Sequence, residues 1–385
     1  MKLESIELNN LGSKSTTLSH PAITRLHDGR YLATMQDIKD GDYYGDPFYS
    51  ISSDQGKSWS EPAVIEAFKS FPIPGSPLVE AVADVRVFTL QDGTVAAMGC
   101  SIFYSSRGNV SWDKESKVEI PQEFAYVSIY DPGTDQWGAR QVLELPLMGS
   151  KSYRTACTQA VLLGEDKIIV PIYFDTQCQI EYYGYTSSRF ASLTAIYRKV
   201  NGRLEFEAAS NVLEIPVLRG CIEPSVIDLP QGGYALTLRA EDGKMYVSLS
   251  ADALNWGEIR PWTWDDGSEI ETASTQQHWI KCGDRRFLAY TRNDGTNGKI
   301  MRFRAPLYIA EADAEKAQLI RSSEKTVFQR KNINGVEVLY GNFHCTQLDD
   351  NTGLITDAAI YTVVRDEKMH EISSTVMGCK VTVEK

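Results

Sequence analysis

The feature that most narrows the folds open to this chain is a hairpin that keeps returning. Ile23 to Leu32 bends at Asp28-Gly29 and Val87 to Val95 bends at Asp92-Gly93, each a pair of apolar, β-prone runs around the dipeptide that tight hairpins favour. Val226 to Tyr234 repeats the pattern, and weaker copies fall at Val161 to Val170, Trp279 to Leu288 and Thr346 to Ile355. Registered on the residue two before each bend (Leu26, Leu90, Leu163, Leu229, Cys282, Leu348), the copies stand 64, 73, 66, 53 and 66 residues apart. Together they consume the chain. No long stretch repeats with the 3.6-residue period of a helix, and the best helical candidate, Asp313 to Gln318, is short.

A period of this length, filled by short strands, predicts units that cannot bury both faces alone and must stack on their neighbours. The expectation is an all-β chain: one domain over residues 1–385, folded as a six-bladed β-propeller of four-stranded antiparallel blades. The first strand, Leu3 to Leu8, and the last, Ser374 to Val383, are expected to close the ring together.

Composition excludes several kinds of partner. A net charge of −12 repels nucleic-acid backbones and anionic membrane surfaces over most of the molecule. The N-terminus carries acids where a secretory signal needs an apolar run, and no segment is long and apolar enough to span a bilayer, so a cytoplasmic protein is expected. The seven cysteines are scattered and form no C-x-x-C pair, which predicts reduced, mostly buried thiols. No motif calls for a cofactor, and no metal site is expected.

The register itself nominates a site. Six positions before the anchors, where each inner strand begins, stand His20, Asp84, Cys157, Glu223, Gln276 and Asn342. Ten positions after them, where the return strand regains that face, come Gln36, Cys100, Tyr173, Arg239 and Arg292. A ring of such polar groups at the heads of apolar strands is hard to explain by packing alone. Antiparallel pairing through the Val226 hairpin sets position 224 opposite 239, bringing Glu223 and Arg239 together either as site residues or as a structural ion pair.

Further candidates lie on loops. Asp37-Ile-Lys-Asp40-Gly-Asp42-Tyr43-Tyr44-Gly45-Asp46 should overhang the axis, and a carboxylic acid held there among aromatic rings, Asp46 or Asp42, fits a general acid. The same acids read equally as a solvated loop, or as a cation site, although their spacing is not that of an EF-hand. Gln276-Gln277-His278-Trp279 and Gly341-Asn342-Phe343-His344 put His278 and His344 at strand heads beside His20. Gln277, Asp84 and His344 join the candidate substrate-binding set, and Tyr182, Tyr183 and Tyr185 offer a sugar-stacking wall or ordinary loop packing.

Residues 52 to 59, Ser-Ser-Asp-Gln-Gly-Lys-Ser-Trp, solve a specific turn problem: Asp54 folds onto the loop's own N–H groups, Gly56 supplies a positive φ, and Trp59 anchors the loop from below. The run resembles the Asp-box hairpin of sialidases and their propeller relatives, and eroded copies surround Asp252 and Asp131. The Glu223 to Arg239 fragment is also similar to an active-site element of that superfamily. The resemblance implies a Glu that activates a Tyr nucleophile, an acid/base Asp in the first blade, and three arginines that bind a sugar carboxylate. The chain departs from the pattern at Ser19-His20-Pro21, where the family has Arg-Ile-Pro. Arg304, with Arg302 beside it, would then supply a third basic group together with Arg239 and Arg292.

The function expected first is a sialidase-like glycoside hydrolase acting on a terminal acidic sugar. Glu223, Asp46, His20 and His278 carry the proton transfers, and Arg239, Arg292 and Arg304 orient the carboxylate. A uronic-acid lyase using a His/Tyr pair and a non-catalytic carbohydrate-binding propeller are the alternatives.

Overall fold

The bends form as local chemistry dictates, with one refinement. In a computed structural model, which describes residues 1–8, 11, 17–40, 42–112, 118–149, 151–182, 185–333, 335–366 and 369–383, the first, second and fourth hairpins share one turn. Gly29, Gly93 and Gly232 donate to the carbonyls of Leu26, Leu90 and Leu229 at 2.9–3.0 Å, and the three leucines donate back across the bend at 2.7–2.9 Å. The three glycines have φ of 91°, 88° and 97°. This is a tight turn closed by a left-handed glycine rather than a two-residue loop. Asp28 and Asp92 brace it by accepting from the N–H two residues on.

Each expected strand pair is present: Leu18–Arg25 with Tyr31–Asp40, Val79–Thr89 with Val95–Ser105, Val161–Leu163 with Lys167–Tyr182, Ile222–Asp228 with Tyr234–Arg239, His278–Cys282 with Arg285–Tyr290, and His344–Asp349 with Thr352–Asp366. The regular plan of six equal, four-stranded antiparallel blades is corrected. The described residues form seven sheets, with four, seven, five, four, five, six and two strands. One pairing, Thr263–Trp264 with Gln318–Leu319, is parallel. The hairpin period fixes where inner strands begin but carries no information about short outer strands, which the loops add unevenly.

The core lies between sheets. Apolar side chains of one sheet interdigitate with the next: Ala125 and Val127 with Val170 and Leu193, Ile169 and Ile196 with Val226 and Leu236, Ile227 and Ala235 with Trp279 and Leu288. The series runs on through Phe287 and Ile309 with Ile355 and Val381, then Leu354 and Leu348 with Ala33 and Met35, and returns through Ala22 and Leu32 to Val82 and Val95. Lys2–Glu7 pairs antiparallel with Met369–Thr382, so strands from both ends of the chain share one sheet, as expected. A closed ring of sheets packed face to face defines a β-propeller.

Candidate functional site

Four strand heads share one unusual backbone conformation. His20, Asp84, Cys157 and Glu223 have φ of 52°, 53°, 53° and 50°, in the left-handed region that costs an L-residue about 1–2 kcal/mol. Three of them sit at register slips of their hairpins, between Ser19 and Ala22, Ala83 and Arg86, and Ile222 and Ser225. Each slip is a bulge that turns the head residue out of the sheet's alternation. One donor atom each from His20, Asp84 and Cys157 lies within 4.8 Å of the others. Gln276 and Asn342, the remaining heads, are not among the residues of positive φ.

The bulge also corrects the expected pairing. Ile222, not residue 224, stands opposite Arg239, because Glu223 is extruded from the ladder. The two charges still meet: Arg239 Nη1 donates to Glu223 Oε1 at 2.5 Å while Arg239 Nε donates to Ser274 Oγ at 2.9 Å. Glu223 Oε2 is shielded from solvent and has no hydrogen-bond partner. A buried carboxylate oxygen with no donor is a costly arrangement that a ligand would relieve.

Asp84 anchors the floor. Both its oxygens accept from Arg86 Nε, at 3.2 and 3.1 Å, Oδ2 also takes the Cys157 N–H, and His20 Nε2 lies 3.6 Å from Oδ1. Burial works against its charge, but Arg86, His20 and the Cys157 N–H prevail and hold its pKa at about 2. Arg86 reaches on to the Thr158 carbonyl at 2.6 Å and to His278 Nε2 at 3.3 Å. A guanidinium can only donate, so His278 Nε2 accepts and its Nδ1–H faces Ser225 Oγ at 2.8 Å. His278 is therefore a neutral imidazole, and burial together with Arg86 and then His344 keeps its pKa well below the usual value.

His344 stands beside it, ring centroids 6.0 Å apart, with Nδ1 unpartnered. Burial and Arg86 keep it neutral as well, against the pull of Asp84. His20 packs edge-on against Tyr44 at 5.0 Å, and burial lowers its pKa more than Asp84 raises it.

The loop after the first hairpin does overhang this centre, but through a different acid. Asp46 accepts from the N–H and hydroxyl of Ser70 at 2.9 and 2.7 Å, both through Oδ1, and so braces the loop. Asp42, with φ of 60°, takes the Tyr44 hydroxyl at 2.8 Å, and its charge is felt by His20 and Arg304. Residue 41 and the Asp40 side chain lie outside the described residues.

Arg304 lies in this electrostatic neighbourhood and Arg292 does not. Burial, then the like charges of Arg239 and Arg302, lower the Arg304 pKa, with Glu223 and Asp42 opposing them. Its Nε has no partner, and its side chain fills the space where a Cβ on residue 341 would sit, so Gly341 leaves it room. Arg292 is instead committed to Glu324 at 2.7 and 2.8 Å and lies over the rings of Trp264 and Tyr308. Gln277 is consumed internally, accepting from Thr237 and donating to the Thr275 carbonyl. Tyr182 is no open stacking wall: its ring is covered by Arg219 at 4.3 Å and its hydroxyl donates to Glu241 at 2.7 Å. Tyr183 and the Tyr185 side chain lie outside the described residues.

Arg86 and Tyr44 were missed by sequence reasoning. Arg86 follows Asp84 by two, but the bulge between Ala83 and Arg86 breaks the strand's alternation, so spacing gives no sign that the two side chains meet. A cavity of about 770 Å³ opens at the other end of the axis, lined by Leu26, Leu90, Asp228, Lys281 and Leu348 near the bends, with Arg86 and His344 at its inner end. It does not include the four heads. All seven cysteines are free thiols, and only Cys178 is exposed.

The closed ring of sheets defines a β-propeller, and its buried polar groups converge at the heads of the inner strands. Solved structures share this fold. A protein of unknown function from Dyadobacter fermentans is 14% identical over 97% of this chain and 98% of its own, with a TM-score of 0.60. The NanB sialidase of Streptococcus pneumoniae is 12% identical over 96% of this chain and 69% of its own, with a TM-score of 0.60. The α-L-arabinanase of Penicillium chrysogenum is 15% identical over 98% of both chains, with a TM-score of 0.52. No protein-family model and no curated protein matches the chain. The expected membership of the sialidase superfamily is therefore corrected to a likeness of fold, which the chain shares with an arabinanase as well as with sialidases. The Ser52 to Trp59 turn is hydrogen-bonded as its spacing dictates, with Asp54 accepting from Ser52 and Ser58, but its Asp-box name rests on the residue pattern alone.

Proposed function

We propose that this propeller is a carbohydrate-active enzyme that cleaves a glycosidic bond beside a carboxylated sugar. One observation carries the reading: Glu223 is held by Arg239 through one oxygen while its second, solvent-shielded oxygen has no donor, next to the charge of Arg304. Arg239 and Arg304 orient the sugar carboxylate, Glu223 handles a proton at the reacting centre, and Asp42 on the overhanging loop is the acid that faces the leaving group. Among the proteins that share the fold are sialidases and an arabinanase, which supports a glycosidic substrate without naming the sugar. No helix of the described residues is long and apolar enough to cross a membrane, in keeping with a substrate met in water.

A second reading, β-elimination from a uronic-acid chain, is favoured by the contact of neutral His20 with Tyr44, a base and an acid side by side. Aryl glycosides of neuraminic acid and of uronic acids, followed both for aryl release and for a new ultraviolet-absorbing double bond, separate the two. Aryl release lost in Glu223→Gln and Asp42→Asn supports hydrolysis. Unsaturated product lost in His20→Asn supports elimination, and turnover indifferent to all three variants refutes both.

A further inference from the structure

The convergence of His20, Asp84 and Cys157 has a chemistry that glycosidic cleavage does not use. We propose that these three side chains hold one zinc-type divalent cation where their strand heads meet. The donor set is one imidazole nitrogen, one carboxylate oxygen and one sulfur, all within 4.8 Å of one another. That mixture suits zinc and its borderline neighbours and is wrong for calcium or magnesium, which take oxygen alone.

The three donors come from separate strand heads, and each is held in the same left-handed conformation. A thiol residue has little local reason to adopt it, since short polar side chains such as Asn and Asp are the ones that tolerate it. Strain repeated at converging positions points to a constraint on where the side chains must end.

Two further groups around the triad lack partners. Glu223 Oε2 is shielded and accepts nothing, and its charge is felt by both Cys157 and His20. His344, 8% exposed, leaves Nδ1 unpartnered and interacts with Asp84 and His20. Water completes the tetrahedral shell around the three protein donors. Arg86 sits behind Asp84, fixing its carboxylate as an outer partner that also bonds the Thr158 carbonyl.

Charge and proton balance are simple. His20 turns Nε2 toward Asp84 Oδ1 at 3.6 Å while its Nδ1 faces Ser19 Oγ at 3.0 Å, so Nε2 is the nitrogen placed to bind beside the Asp84 carboxylate. Cys157 Sγ loses its proton to solvent as the metal–sulfur bond forms, so the cation's two charges meet a thiolate and a carboxylate. Nothing is oxidised or reduced. The proposal stands independently of the glycosidic reading, since its test does not measure turnover.

The test titrates cobalt(II), as a spectroscopic stand-in for zinc, into the full chain after chelation. The expected result is one bound equivalent with a thiolate-to-cobalt charge-transfer band, displaced by zinc, and a rise in melting temperature when zinc is added. Cys157→Ser and His20→Asn, the latter chosen because Asn tolerates the left-handed backbone, should each lose the zinc-dependent rise, and Cys157→Ser should lose the band. Cys178→Ser, which removes the exposed thiol, should keep both. Absence of the band in the wild type, or a band that survives Cys157→Ser and vanishes in Cys178→Ser, overturns the assignment.

Discussion

Arg86 and His278, 192 residues apart in sequence, meet on the propeller axis at 3.3 Å, with the guanidinium donating to the imidazole Nε2. The same guanidinium holds Asp84 and the Thr158 carbonyl, so one side chain ties three strand heads together. Arg86→Met should leave Asp84 buried without its counter-charge and cost about 3–5 kcal/mol, read as a lowered urea midpoint with an unchanged m-value. The double variant Arg86→Met, Asp84→Leu should recover part of that loss, because no charge then remains to desolvate.

The buried histidines make stability fall with acid earlier than carboxylates would. His278 and His344 have folded pKa values well below 6.5, so as pH drops through about 6.5 the unfolded chain takes up protons that the folded chain refuses. Stability is full above that pH and is lost below it, by about 1.4 kcal/mol per pH unit for each histidine. Denaturant midpoints measured between pH 7.5 and 5 should slope accordingly, and His344→Gln should flatten the slope. Asp84 acts lower: its folded pKa of about 2 gives stability that is complete above roughly pH 4 and lost as pH falls toward 2.

Strain at the heads can be measured directly. At an ordinary position Gly is less stable than Ala by roughly 0.5–1 kcal/mol. At Cys157, with φ of 53°, the order should reverse, with Cys157→Gly unfolding at a higher temperature than Cys157→Ala.

Much of this site could be read from spacing, and the misses have physical causes. Counting from the bends finds His20, Asp84, Cys157 and Glu223, because an equal number of residues before each bend brings them to one level even though their strands differ in length. Counting could not see the bulges, so residue 224 was set opposite 239 where Ile222 stands. Asp46 and Asp42 are indistinguishable in sequence; only the fold binds Asp46 to Ser70 and leaves Asp42 in reach of Arg304. Arg292 obeys the register, yet Glu324, supplied by a later segment of the chain, draws it aside. The uneven strand counts have no signature in the hairpins at all.

Gly341 tests the position of Arg304 without touching its charge. A Cβ there would lie 2.6–2.8 Å from the Arg304 side chain, so Gly341→Ala should push the guanidinium off its place. Affinity for a carboxylated glycoside should weaken several-fold, while the free energy of unfolding falls by about 1–3 kcal/mol, the cost of mild overpacking.

Calorimetric titration with uronic-acid and neuraminic-acid glycosides reads directly whether the strand heads converge on a carboxylated sugar. Wild type should bind one of them, Arg304→Met and Arg239→Met should each weaken that binding at least about tenfold, and Arg292→Met should leave it unchanged. Loss of binding in Arg292→Met with full affinity retained in Arg304→Met would contradict the account.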